Sequence, residues 1–91
     1  MNKEGRELIN KWKGTVEELQ TGLQDLHSDV EELAEGEREK YENMPESLQS
    51  SDRGEAMNAA AEALEAAVSE IQTAIDSLDS VLGQLGEAEG E

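Results

Sequence analysis

The sequence predicts an all-α protein, an antiparallel helical hairpin of two long amphipathic helices that dimerises into a four-helix bundle or coiled coil. Three observations predict it. Apolar residues recur at helical spacing in both halves of the chain, and a single proline-bearing break separates the halves. The 91 residues, 35% of them hydrophobic, allow one domain with little core of its own.

In the first half, Ile9, Trp12, Val16, Leu19, Leu23, Leu26, Val30 and Leu33 step alternately by three and four, which puts them on one stripe of a helix. The residues between them are almost all polar or charged, as a narrow helical seam requires. A helix from about Lys3 to about Asn43 follows, with a length of roughly 60 Å at the rise of an α-helix. The seam falters at Glu37 and Lys40, and Tyr41 and Met44 resume it in a shifted phase. A change of supercoil or a frayed end is expected near Gly36.

A turn over about 44–51 comes next. Pro45 has no amide proton and biases Met44 away from helical geometry, so the first helix stops there. Pro45 to Leu48 suits one short helical turn. Ser50, Ser51 and Asp52 supply capping side chains; Asp52 and Glu55 have the spacing of a capping box, and Ser51 suits the cap equally well. Gly54 in the first turn reads as a mild cost.

The second helix is expected over about 52–84. Met57, Leu64, Ile71, Leu78 and Leu85 recur every seven residues, with Ala60/Ala61, Ala67/Val68, Ala74/Ile75 and Val81/Leu82 between them. The resulting stripe is wider than that of the first helix, and its alanines allow close approach of backbones. A single domain over 1–85 and a disordered acidic tail over 86–91 complete the organisation. In such a hairpin Trp12 falls near Val81, Leu82 or Leu85. The wide stripe leaves apolar positions over after pairing, which is the reason to expect a homodimer.

Composition excludes several functions. There is no cysteine, hence no disulfide framework and no thiolate site, which suits a reducing compartment. No apolar run is long enough to span a bilayer, and residues 1–13 lack the apolar core of a targeting segment, so a cytoplasmic protein is expected. His27 is the only histidine and no Glu-x-x-His pair occurs, so the chain is read as a non-enzyme without metal or cofactor. His27 itself fits a surface or helix-pairing role.

The formal charge of −16 is uneven: residues 1–13 carry a net +2 and residues 14–91 a net −18. Such a body repels nucleic acid and anionic membranes, so neither is a direct partner; a protein with a basic surface, typically a nucleic-acid-binding protein, is. The candidate acidic face comprises Glu55, Glu62, Glu65, Asp76 and Asp79 from the second helix with Glu31, Glu32, Glu35, Glu39 and Glu42 from the first. Carboxylates along a stiff rod can imitate a nucleic-acid backbone. Solubility and adaptation to high salt are the plainer accounts of the same charge. The turn offers a second candidate, a recognition tip of Tyr41, Asn43, Met44, Leu48 and Arg53. Pairing of Arg53 with Glu46 or Glu55, which would pin the turn, is its structural alternative. Ile9 to Leu33, with Met57, Leu64, Ile71 and Leu78, make the dimer or hairpin seam.

The run YENMPESLQSSDRGEAMNAAAEALEAAVSEIQTAIDSL, residues 41–78, resembles short acidic helical proteins of bacteria and phages that carry an N-M-P-E-x-L-Q-x-S-x-R-G-E turn before an Ala/Glu-rich helix. The resemblance implies the hairpin and a phage or mobile-element setting, and it carries over no catalytic residue. The expected function is inhibition of a host nucleic-acid-binding defence protein, such as a CRISPR effector, by nucleic-acid mimicry. A helical adaptor that binds another helical protein through its seam and tip is the alternative.

Overall fold

The computed structural model describes residues 1–90. Three helices follow in order: α1 (Lys3–Glu42), α2 (Glu46–Gln49) and α3 (Asp52–Glu89), with no strand among the described residues. α1 and α3 lie antiparallel as a hairpin 68 × 15 × 14 Å in extent, and α2 is the single turn at its closed end. The Cα radius of gyration is 20.2 Å, against about 12 Å for a compact domain of this length. The rod shape follows from two uninterrupted helices of 40 and 38 residues.

Local chemistry sets the helix ends. The Asn2 side chain accepts from the Gly5 amide at 2.9 Å and starts α1. Ser51, not Asp52, caps α3, its Oγ accepting from the Gly54 amide at 3.2 Å. Gly54 is buried, and a Cβ there would collide with the carbonyl oxygens of Leu48 and Gln49. Glycine is thus required where the turn folds onto α3, which the expectation of a mild cost missed. Gln49 secures the same corner by donating to the carbonyls of Tyr41 at 3.2 Å and Met44 at 3.3 Å.

The first helix ends where expected, and the second runs longer. α1 is continuous to Glu42 and does not fray at Gly36; there Glu37 is half-buried and accepts from Lys40 at 3.2 Å within the helix. α3 runs to Glu89, five residues past the expected end, because Glu89 is tied back to α1. Lys13 Nζ meets it at 3.3 Å, and Asn10, with its amide nitrogen turned toward the carboxylate, donates to both oxygens at 3.2 Å. Of the tail expected to be disordered, Gly86 to Glu89 is therefore helical, Gly90 caps α3, and Glu91 lies outside the described residues.

Where the helices meet, α1 contributes Ile9, Val16, Leu23, Val30, Ala34 and Tyr41, with the half-buried Gln20 and His27 among them. α3 contributes a line through Gly54, Ala61, Val68, Ile75 and Leu82. Only Ile9, Ala34, Ala61 and Ile75 are buried apolar side chains among the described residues. The stripe read from the sequence therefore divides. Ile9, Val16, Leu23 and Val30 face α3, whereas Trp12, Leu19, Leu26 and Leu33 remain 46–56% exposed. Lys13, Gln20 and Arg38 reach across to α3 on the other side of this contact line from the Trp12 series. Trp12, expected against Val81, Leu82 or Leu85, is 49% exposed.

A candidate acidic interaction surface

The hairpin has two unlike flanks. On one, α1 presents Asn10, Glu17, Gln24, Glu31 and Arg38, one residue per heptad. On the same side α3 presents the heptad series Asn58, Glu65, Gln72 and Asp79. Polar cross-links join the two helices along this side of the rod. Gln20 Nε2 donates to Asp79 Oδ1 at 2.6 Å and to the Ile75 carbonyl at 3.3 Å. Arg38 forks onto Glu65 at 2.9 and 3.2 Å and donates to Asn58 Oδ1 at 2.7 Å.

Arg38 is the residue that the sequence reading passed over. It lies at the junction of both helices, 5.7 Å from the centre of the Tyr41 ring. The hydrogen bonds from Arg38 hold the Glu65 carboxyl below its ordinary range, and the Glu65 carboxylate raises the Arg38 guanidinium in return, with smaller help from Glu42 and Glu62. An arginine opposite a glutamate across an antiparallel pair was the available signal, but it needs the register of the hairpin first.

The predicted acidic residues are all exposed. Most gather on this flank. Glu31, Glu35 and Glu65 line a shallow recess of about 220 Å³ with Ala34 and Val68. Glu42 and Glu62 lie within electrostatic reach of Arg38. Glu55, Glu62 and Asp76 share one heptad line of α3, beside Asp79. Glu32 and Glu39 do not join them; their helical positions put them on the back of α1. Several acids are already engaged: Glu65 by Arg38, Asp79 by Gln20, Glu62 by Asn58 at 3.3 Å and Asp76 by Gln72 at 3.0 Å. No three carboxylate or imidazole groups among the described residues converge as metal ligands would.

The predicted tip residues divide as well. Tyr41 and Met44 are half-buried at the end of the seam, while Asn43, Leu48 and Arg53 are exposed. Arg53 makes no ion pair among the described residues, so the pairing with Glu46 or Glu55 does not form, and Gln49 and Gly54 secure the turn instead. Leu48, 49% exposed, is the one large apolar side chain that the turn presents.

Fold and surface together define an acidic, two-faced helical hairpin. No described helix is long and apolar enough to cross a membrane. Comparison with family models, curated proteins and solved structures finds no match.

Proposed function

We propose that the chain is a small, non-catalytic protein-binding protein that inhibits a nucleic-acid-binding protein by occupying its basic cleft. One observation supports this reading above the others: carboxylates from both helices are gathered on one flank of a rod 68 Å long, which polar cross-links hold in register. At a formal −16, the rod carries one net charge per about 4 Å, close to the 3.4 Å of a single nucleic-acid strand. The resemblance of residues 41–78 to acidic proteins of bacteria and phages supplies the setting: a phage-type inhibitor of a host defence protein, a CRISPR effector or similar, acting in the host cytoplasm.

The test is capture of partners from host cells by the tagged chain, followed by competition with duplex DNA and with RNA. The captured protein is expected to bind nucleic acid and to be displaced by it. Reversing Glu55, Glu62 and Asp76 to Lys, three exposed acids outside the Arg38–Glu65 pair, is expected to weaken capture at least tenfold. A captured protein indifferent to nucleic acid, or capture unchanged by the reversal, overturns the reading. The adaptor reading draws on the exposed Trp12, Leu19, Leu26 and Leu33 and on Leu48 at the tip. It predicts capture that resists salt and is lost on apolar-to-charged substitution.

A further inference from the structure

The flank opposite the cross-links is apolar on both helices. On α1, Trp12, Leu19, Leu26 and Leu33 repeat every seven residues with Leu8 one turn before them, all 46–56% exposed along about 32 Å from Trp12 to Leu33. The antiparallel pairing brings the half-buried heptad series of α3 that starts at Met57 to the same side, bordered by the alanine line that starts at Ala60. Of the α3 acids between Gly54 and Gln84, only Glu70 falls on this side.

We propose that this apolar flank is the contact surface for a second copy of the chain, the two hairpins stacking into a four-helix bundle. Area is the first argument. The chain exposes 6337 Å², where a compact monomer of 9.9 kDa exposes about 5,200 Å². The excess of about 1,100 Å², which the rod shape spreads over all its faces, leaves room for the roughly 800 Å² that each partner contributes to a standard interface. The second argument is charge. Two chains of −16 repel each other, and on α3 this flank is where they touch with the fewest carboxylates opposed. Third, the face is self-complementary in size and pitch. Leu and Trp on α1 suit the alanines of α3 in a two-fold partner, and both helices keep the strict seven-residue period of a left-handed bundle.

Sedimentation equilibrium over micromolar concentrations tests the proposal. The chain is expected at twice 9.9 kDa, with blue-shifted Trp12 emission that moves to the red on dilution. Leu19→Glu and Leu26→Glu are each expected to raise the dissociation constant about 100-fold or more, since each buries a charge twice across the two-fold axis. The chain lacks cysteine, so a single nitroxide on Leu26→Cys reports only distances between copies, and dipolar coupling between labels is expected. A monomer at all concentrations overturns the proposal, as does a dimer that both glutamate variants leave intact. If a glutamate variant loses its helices, the unmodified chain decides: a melting temperature that rises with concentration supports the dimer, and one that does not overturns it. None of these measurements involves an acidic-flank partner, so the dimer and the inhibitor reading fail separately.

Discussion

Gly54 and Gly14 show how the same residue type carries opposite consequences in one fold. At Gly54 a Cβ would meet the carbonyls of Leu48 and Gln49, which are backbone and cannot swing aside. Gly54→Ala is therefore expected to destabilise the hairpin by about 1–3 kcal/mol, the usual range for overpacking, as read from urea denaturation. Gly14 lies in α1 with nothing within 4 Å of a Cβ, so Gly14→Ala is expected to stabilise it by about 0.5–1 kcal/mol in the same measurement. Arg38 and Glu65 give a residue-scale dependence on pH. Glu65 sits below its ordinary value of 4.5 in the folded chain, so the fold holds fewer protons there than the unfolded chain does. The stability from this pair is present above pH 4.5 and fades as the pH falls through the lower, folded value. Arg38→Met is expected to be less stable than the parent at pH 7, and the gap is expected to narrow in acid, where only the Asn58 and Tyr41 contacts of Arg38 remain. A gap that stays constant down to the point of full carboxylate protonation would refute the assignment.

At the scale of elements, most of the architecture was legible because three of its signals are local. The three-four spacing on α1, the heptads on α3 and the proline-serine break between them each depend on residues within a few turns. Helix ends were less legible where a distant side chain decides them. The last turn of α3 looked like a Gly/Glu tail, and it is helical because Lys13 and Asn10 hold Glu89 from the far end of the chain. The rotation of α1 was illegible for the same reason. A stripe of Ile9, Trp12, Val16 and Leu19 says that one side is apolar, but not which edge of it faces the other helix. The edge that faces α3 is the one whose Gln20 and Arg38 find partners 55 to 59 and 20 to 27 residues away, and spacing along one helix does not carry that information. Eight of the ten acids picked out from the sequence lie on one flank, which Glu17 also joins. Its division from Glu32 and Glu39 waited on the same rotation.

For the whole molecule, the two flanks imply opposite responses to salt. Association through the apolar flank brings together two bodies of −16, so screening removes a repulsion and leaves the burial of Trp12 and the leucines intact. Binding of a basic cleft to the acidic flank is an attraction, and screening weakens it. Raising sodium chloride from 50 to 500 mM, as approximate working limits, spans a Debye length from about 14 to about 4 Å. Across that range the dimer dissociation constant is expected to fall several-fold, while the affinity for a basic partner falls by at least about 100-fold. Under the two proposals, the two processes also reinforce each other. Stacking two hairpins over their full length doubles the charge per unit length, from one per about 4 Å to one per about 2 Å, close to the 1.7 Å of duplex DNA. A monomer thus presents the charge density of a single strand and a dimer that of a duplex. Leu26→Glu, which is expected to keep the acidic flank while abolishing the dimer, should therefore lose more affinity for a duplex-binding partner than for one that binds single strands. Equal losses for both partners, measured at one salt concentration, would separate dimerisation from mimicry.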